Sequence, residues 1–365
     1  MKPDYSRRRA ILLLVVWLLM AAHVVHWKLA GRTLAPLELN EVMHTLELGV
    51  VTAGFLFMLL VLGSVLVFGR FFCSWGCHIL ALEDGSAWLL NRAGIKARPV
   101  RSRVLAWVPF GALLYMFVWP QVKRVLEGRE APKLHVLADG EGWASFVTSD
   151  FARNLPGPGM ALVTFVVVGL VMVYFLGSRS FCRYGCPYGA LFALADRMAP
   201  GRIVASKSCT ACGLCTAACQ SGIAVHEELQ RFGTVVNSAC LRDLDCVSAC
   251  PDGAVRFGWA APPVVRFWNR NYWAQRPRVR FHLSPWEEVV ALLLFFLGLG
   301  ISRGLYGLVP FLLSLGIGAM TAWVGVLSLR LVQRPAVKLG NVQLKLNGKL
   351  TKGGRRFALG ALMAG

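Results

Sequence analysis

Seven cysteines between residues 209 and 250 have the spacing with which proteins bind iron–sulfur clusters. The first run reads C-x2-C-x2-C-x3-C, and a second, shorter run ends in Cys-Pro. In two-cluster ferredoxins three closely spaced thiolates bind one cluster, and the cysteine after the x3 gap binds the other. A zinc site normally stops at four ligands in two pairs. The spacing therefore predicts a protein that transfers electrons one at a time. The seven are Cys209, Cys212, Cys215, Cys219, Cys240, Cys246 and Cys250.

In such ferredoxins each cluster takes its fourth cysteine from the other run. Assigning the ligands in this way gives one complete set and one incomplete set. The ligands predicted for a first 4Fe–4S cluster are Cys209, Cys212, Cys215 and Cys250. The second set is Cys219, Cys240 and Cys246, with Asp243 where the repeat would place a fourth cysteine. A carboxylate is a harder ligand than a thiolate and would bind that iron weakly. We therefore expect a second 4Fe–4S or a 3Fe–4S cluster; the alternative is that Asp243 caps a turn and the second site is empty.

The rest of the chain has the composition of a membrane protein. Hydrophobic residues make up 56% of the 365 residues and charged residues 16%. Apolar runs of about 18 residues or more are candidates for membrane spans. We predict about six spans, at 10–27, 46–68, 104–120, 159–176, 288–302 and 306–327. The predicted fold is a membrane α-helical bundle with an inserted cytoplasmic α+β two-cluster ferredoxin-like domain.

A net charge of +20 could indicate a nucleic-acid partner, but the placement of the basic residues argues against one. They cluster in alternate loops between the predicted spans, and the loops on the other side are less basic. The positive-inside rule then places the amino terminus and every cysteine in the cytoplasm, in a multi-pass protein of the inner membrane. The clustered residues are Arg7–Arg9, Arg92, Lys96, Arg98, Arg101, Arg103, Arg266, Arg270, Arg276, Arg278, Arg280, Arg330, Arg334, Lys338 and Lys345.

A second repeat consists of two C-x3-C pairs, each directly after a predicted span. Residues 70–78 read RFFCSWGCH and residues 179–187 read RSFCRYGCP. The matching positions indicate a duplicated unit of membrane helix, C-x3-C and short interfacial helix. The four thiols could share a further cluster, or the pairs could cycle through disulfides or bind copper; simple packing of small apolar side chains is the third reading. The four are Cys73, Cys77, Cys182 and Cys186.

With these motifs the chain resembles the NosR/NapH-type family of membrane polyferredoxins over residues 40–258. The resemblance implies that the two pairs are the family's C-x3-C-P motifs and that residues 203–258 are its ferredoxin module. It also implies electron transfer between the quinone pool or cytoplasmic donors and a redox system across the membrane. The chain departs from the family at His78, which replaces a motif proline, and at Asp243, which replaces a ferredoxin cysteine.

Three histidines lie near the outer ends of the first two predicted spans. His23 and His26 share a helix face, and His44 opens the second span on the same side. Ionisable residues within membrane segments are functional candidates. These three could bind a b-type haem, a quinone or a metal, or they could simply reach interfacial water.

The predicted organisation has five parts. Residues 1–200 carry membrane helices one to four, and 201–258 form the ferredoxin-like domain. A basic linker follows at 259–285, and helices five and six lie within 286–334. Residues 335–365 are a cytoplasmic tail, which could begin a further span or resemble a twin-arginine segment.

The predicted function is that of an integral membrane iron–sulfur electron carrier with a membrane or periplasmic redox partner. We find no nucleophile–base constellation, phosphate loop or dinucleotide fingerprint in the sequence. A carrier subunit is therefore a better reading than a stand-alone enzyme. Two alternatives stay open: an assembly factor that delivers reductant or copper through the C-x3-C pairs, and a redox sensor.

Overall fold

A computed structural model describes most of the chain. The described residues are 4–140, 144–151, 155, 157–206, 208–265, 274, 281–304 and 309–364. Most of the predicted linker 259–285, including its five arginines, lies outside them. The chain divides into two compact units. Unit 1 contains residues 1–81, 110–157 and 187–278, and unit 2 contains 82–109, 158–186 and 279–365.

Helices dominate both units. In chain order they are α1 Tyr5–Ala30, α2 Val42–Leu48, α3 Ala53–Phe68, α4 Phe71–Trp75, α5 His78–Arg92, α6 Leu105–Leu126, α7 Pro158–Leu176, α8 Ser180–Tyr184, α9 Pro187–Ala195, α10 Leu214–Ala218, α11 Val225–Phe232, α12 Asp245–Ser248, α13 Pro285–Gly304, α14 Phe311–Gln333 and α15 Lys352–Ala364. The strands are β1 Thr33–Leu34, β2 Val147–Thr148, β3 Gly201–Ala205, β4 Val255–Trp259, β5 Val337–Leu339, β6 Val342–Leu346 and β7 Lys349–Leu350.

Five of these helices are long and apolar enough to cross a membrane, namely α1, α6, α7, α13 and α14. They correspond to five of the about six predicted spans, and the span predicted at 46–68 stays a prediction. The segment 46–68, predicted as one span, is divided into α2 and the 16-residue helix α3. A helix of that length is about 24 Å long, somewhat short of the hydrocarbon core.

Local backbone chemistry explains the division. Gly49 ends α2 with a φ of 77°, a left-handed conformation that favours glycine. A Cβ at Gly49 would lie 2.3 Å from the carbonyl oxygen of Lys133, so no larger residue fits there. Thr52 then starts α3, because its side chain accepts a hydrogen bond from the backbone N–H of Phe55. Hydrophobicity alone does not reveal these two signals.

In unit 1 a small ferredoxin-like module lies at one end of the membrane helices. Its outer strands, β3 and β4, pair antiparallel from Gly201↔Trp259 to Ala205↔Val255. The short helices α10 and α12 lie between these strands in the sequence and pack on each other. The buried core combines aliphatic side chains with Cys215, Cys240, Cys246 and Cys250. The cysteines are therefore part of the core of the module.

The module contacts the membrane helices at their ends. The first turn of α1 reaches it, because the backbone N–H of Tyr5 donates to the Ser248 hydroxyl at 3.0 Å. At the last residue of α3, the Phe68 ring lies 5.8 Å from that of Trp259. The amino-terminal end of α1 and the carboxy-terminal end of α3 therefore lie at the same side as the cysteines.

Unit 2 contains two neighbouring apolar helices and a small carboxy-terminal domain. Helices α13 and α14 pack along each other, and α14 also packs on α7. Strands β5, β6 and β7 form an antiparallel sheet in that order, and α15 packs on β6. The predicted tail 335–365 therefore has ordered structure, and the two arginines of its twin-arginine-like segment lie in α15.

Both copies of the predicted duplicated unit have the same order of elements. The first is α3, α4 and α5, and the second is α7, α8 and α9. In each copy the third helix belongs mainly to a different unit from the first two helices. Most of α5 belongs to unit 2, and α9 belongs to unit 1. Each unit is therefore built from parts of both copies.

Close packing of β3 on the end of α3 leads to a first prediction. A Cβ at Gly201 would lie 2.8 Å from Cα of Phe68, so Gly201→Ala should lower the free energy of unfolding by about 1–3 kcal/mol. The matched control is Gly63→Ala, since a Cβ at Gly63 in α3 meets open space. Denaturant unfolding of the detergent-solubilised protein measures both. Equal stability of the two variants would contradict this packing.

Candidate iron–sulfur sites

The first candidate site is a cavity lined by four cysteines in unit 1. The lining of this cavity includes Cys209, Cys212, Cys215 and Cys250. These are the four residues predicted to bind the first cluster, with Cys250 contributed by the second run of cysteines. Cys212 is exposed, whereas Cys215 and Cys250 are buried. Their role as ligands stays a prediction, but the fold brings all four to one place.

The loop that carries the first three cysteines has two left-handed residues. Ala211 has a φ of 55° and Gly213 a φ of 80°. Gly213 precedes α10, and its carbonyl oxygen accepts the backbone N–H groups of Thr216 and Ala217. A left-handed residue with a side chain is uncommon. The loop therefore curls tightly, and its side chains point into a common space.

The second candidate site gathers the remaining four residues of the ferredoxin motif. Asp243, Cys240 and Cys246 are buried and Cys219 is half-buried. Burial, followed by the negative charges of Asp243 and Cys240, raises the pKa of the Cys219 thiol to about 12. Burial also raises the pKa of Cys246, and Cys240, Asp243 and Cys219 add to the shift. The four side chains are therefore close enough to act on one another electrostatically.

Three thiolates and one carboxylate placed this close together would repel one another if nothing balanced their charges. Soft thiolate donors suit iron–sulfur clusters, which share the negative charge among several metal ions. Among the described residues, no group of three or more His, Cys, Asp or Glu side chains is placed to hold a single metal ion. The donor atoms are of the type that iron–sulfur clusters bind, and the role of Asp243 as the fourth ligand of the second site stays a prediction.

Buried arginines supply positive charge next to the second site. Asp196 forms ion pairs with both Arg202, at 3.2 Å, and Arg242, at 2.7 Å, and all three side chains are fully buried. Arg242 also donates to the carbonyl oxygen of Cys240 at 2.7 Å. Burial lowers the pKa of Arg202, and Asp196 opposes that shift. Two arginines on one carboxylate leave an excess of positive charge, which anionic thiolates at the second site would balance.

A further buried arginine ties α1 to the second site. Arg9 donates to both carboxylate oxygens of Asp245, at 2.9 and 3.1 Å, and to the carbonyl oxygen of Asp243 at 2.9 Å. The side chain of Gln220, which replaces a proline usual in ferredoxins, donates to the same carboxylate at 3.2 Å. The segment 243–245 is therefore anchored from the first membrane helix.

The two C-x3-C turns share one local construction. A Cβ at Gly76 would lie 2.9 Å from the ring of Phe72, and a Cβ at Gly185 would lie 2.9 Å from the ring of Phe181. The N–H of each glycine donates to the carbonyl oxygen of the same phenylalanine at 2.8 Å. This explains why phenylalanine and glycine recur at fixed distances around each cysteine pair.

The surroundings of the two pairs differ. Burial raises the pKa of Cys73, and Arg70, which hydrogen-bonds to its side chain, opposes the shift. In the second pair the Cys182 thiol donates instead to the buried carboxyl of Glu83 at 3.2 Å. Glu83 also accepts the backbone N–H of Phe181 at 2.8 Å and the hydroxyl of Ser180 at 3.1 Å. One pair thus has a cation beside it and the other a carboxyl group.

Cys73 and Cys77 belong to unit 1, and Cys182 and Cys186 belong to unit 2. The prediction that they share one cluster stays a prediction. So do the alternatives of disulfide cycling and copper binding.

The candidate histidines near the far ends of the helices have protein partners. The His23 Nε2 atom lies 3.0 Å from the Leu34 carbonyl oxygen, and His26 Nδ1 lies 3.0 Å from the Thr33 hydroxyl. Both rings therefore fasten the end of α1 to β1. His44 lies in α2. Haem, quinone or metal binding at these three residues stays a prediction.

Sequence reasoning missed several buried polar residues that surround the sites. Asp196 lies between α9 and β3, and Glu83 lies in α5, so neither belongs to a cysteine motif. Arg242 could have been noticed, because it stands directly before Asp243 among the ferredoxin cysteines. Only the fold shows that Glu83 lies beside Cys182 and that Asp196 pairs with Arg242 next to Cys240.

Comparison with known proteins supports the binding of an iron–sulfur cluster by this chain. A family profile described as "4Fe-4S binding domain" matches residues 50–95 and again residues 158–204. The two matches coincide with the two copies of the duplicated unit and contain both C-x3-C pairs. No solved structure matches the chain.

The curated relatives include ferredoxin-type proteins. The methylamine utilization ferredoxin-type protein MauN of Methylorubrum extorquens is 26% identical over 222 residues, which are 57% of this chain and 69% of the relative. MauN of Methylobacillus flagellatus is 28% identical over 47% of this chain and 52% of the relative. YccM of Escherichia coli, provisionally named an electron transport protein, is 28% identical over 51% of this chain and 50% of the relative. The resemblance to membrane polyferredoxins is thereby confirmed.

The anchor between α1 and the second site yields the next prediction. Arg9→Gln leaves the Asp245 carboxylate buried without its cation, so the free energy of unfolding should fall by about 3–5 kcal/mol. The control Arg7→Gln changes an exposed residue two positions earlier and should stay within about 0.5 kcal/mol of the wild type. Denaturant unfolding in detergent compares them. Adding Asp245→Asn to Arg9→Gln should recover part of the loss; an Arg9→Gln variant as stable as Arg7→Gln would refute the anchor.

Proposed function

We propose that this protein is an integral membrane electron carrier of the polyferredoxin type that holds its iron–sulfur clusters at the cytoplasmic side. The observation that carries the proposal is the cavity lined by Cys209, Cys212, Cys215 and Cys250. These cysteines come from two separate runs of the sequence, and they meet in the crossed arrangement of a two-cluster ferredoxin. The names of the relatives and the description of the matching family support the same chemistry.

The proposed ligands of the first cluster are these four cysteines, and those of the second are Cys219, Cys240 and Cys246, with Asp243 at the fourth position. When bound, such a cluster accepts and returns one electron at a time. The chain's own residues exclude water and set the local charge. The second site is buried and bordered by arginines, whereas Cys212 of the first site is exposed. A soluble donor or acceptor would therefore approach at the first site.

The same contacts support the proposed orientation. The amino-terminal end of α1 and the module share one side, since Tyr5 and Arg9 both contact residues 243–248. Arg7 and Arg8 at this end are exposed. By the positive-inside rule this side is cytoplasmic. The partners would be a quinol or cytoplasmic donor and a membrane or periplasmic redox protein.

Cluster content tests the proposal directly. We expect full-length protein purified without oxygen to contain iron and labile sulfide, and to give iron–sulfur EPR signals after reduction by a quinol or a low-potential donor. Cys212→Ser should abolish the first-site signal, because it removes one of four thiolate ligands. The matched control Thr210→Ala changes a residue that lines the same cavity without a thiol and should keep the signal. Colourless protein without labile sulfide would refute the proposed function.

The role of Asp243 has a separate test. Asp243→Cys supplies a soft fourth ligand, so a labile or 3Fe–4S second site should gain about one iron per chain and the EPR signal of a complete cluster. The control Asp252→Cys adds a thiol beside the first site, which already has four. It should leave the iron content unchanged. If Asp243→Cys changes neither iron content nor spectrum, Asp243 only caps a turn.

A further inference from the structure

The second ferredoxin site is held in place by the first C-x3-C turn. Three side chains of residues 70–75 donate hydrogen bonds to backbone carbonyl oxygens of residues 238–242, the segment that contains Cys240 and leads to Asp243. The three bonds are Arg70 to Ser238 at 3.0 Å, Ser74 to Leu241 at 2.8 Å and Trp75 to Arg242 at 3.0 Å. The turn that carries Cys73 therefore sets the path of the backbone on both sides of Cys240.

The hydrogen bond from Ser74 is buried, and the other two are partly buried. Ser74 is fully buried, and Leu241 is 3% exposed. The Trp75 ring is stacked on Phe71 with centroids 5.1 Å apart, and Tyr5 meets it edge-on at 6.5 Å. A buried carbonyl group that loses its donor is not compensated by solvent. The hydrogen bonds therefore fix residues 238–242 in one position relative to the turn.

A buried ion pair lies beside the same segment. Asp196 pairs with Arg242 at 2.7 Å, and Arg242 donates to the carbonyl oxygen of Cys240 at 2.7 Å. Charges in such buried surroundings are screened little by salt. Cys73 and Cys240 are the chain neighbours of Ser74 and Leu241, which a hydrogen bond of 2.8 Å joins, so a charge at Cys73 lies close to the second site.

We propose that the first C-x3-C turn is a positioning element of the second ferredoxin site, and that Cys73 and this site form one coupled redox unit. This inference rests on the proposed function. The charge held at Cys73, as a thiolate or as a cluster ligand, then changes the reduction potential of the second site. By linkage, the redox state of the second site changes the stability of the negative charge at Cys73 to the same extent.

The test is an EPR-monitored redox titration of the second-site signal in the full-length protein. Ser74→Ala and Trp75→Phe each remove one donor and keep most of the packing. The matched controls are Ser64→Ala and Trp27→Phe. The Ser64 hydroxyl donates to Val61 within α3, and the Trp27 indole donates to Ser149 near the far end of α1. The same chemical changes are thereby made away from the second site.

We expect Ser74→Ala and Trp75→Phe to change the equilibrium between oxidised and reduced second site by up to about tenfold, a midpoint shift of about 59 mV for one electron. A second-site signal lost while the first-site signal persists would also support the inference. The controls should titrate as the wild type does. Cys73→Ser should raise the midpoint potential, because it removes negative charge from beside the site.

The outcomes separate the two proposals. Wild-type protein without iron or sulfide refutes the proposed function and the inference with it. If both ferredoxin signals are present, the coupling alone is overturned by either of two results. One is a wild-type midpoint potential in both Ser74→Ala and Trp75→Phe, and the other is a wild-type midpoint potential in Cys73→Ser. A variant that loses all signals is checked by amide hydrogen exchange at residues 238–246. Exchange no faster there than in Ser64→Ala or Trp27→Phe would also overturn the coupling.

Discussion

The ferredoxin module depends on positive charge that the fold buries around its thiols. Arg9, Arg70, Arg202 and Arg242 are all at most 6% exposed. Two carboxylates, Asp196 and Asp245, form ion pairs with three of these arginines, and Arg70 hydrogen-bonds to the Cys73 side chain. Removing such charges from water costs several kcal/mol for each ion unless opposite charges lie nearby. Thiolates that bind iron would be those opposite charges.

The same arginines connect parts of the chain that are far apart in sequence. Arg9 links the first membrane helix to residues 243–245, and Arg242 links the module to Asp196. Glycines make these approaches possible. A Cβ at Gly69 would lie 2.6 Å from the Arg242 guanidinium, and Gly69 also has a left-handed φ of 74°. Electrostatics and close packing therefore support one another where the membrane helices meet the module.

The duplicated unit shows how one motif can serve two environments. Each C-x3-C turn has its phenylalanine ring over its glycine, so the local fold is the same in both copies. What differs is the neighbour: Arg70 beside Cys73, and Glu83 beside Cys182. A cation stabilises a thiolate. Burial raises the pKa of Glu83, and its carboxyl group accepts a hydrogen bond from the Cys182 thiol. The two pairs thus start from different electrostatic conditions, whichever groups they bind.

The sequence by itself determined the cysteine sets and most of the apolar helices, because ligand spacing and hydrophobic length are local properties. It predicted that Cys250 would join Cys209, Cys212 and Cys215, and the fold brings these four together. It did not show the break between α2 and α3, since Gly49 and Thr52 act through backbone geometry inside an apolar run. Only the tertiary structure decided which charges surround the thiols. Arg9 has a partner 234 residues away and Glu83 has one 97 residues away, while Asp196 pairs with Arg202 and Arg242. Such pairings arise from packing.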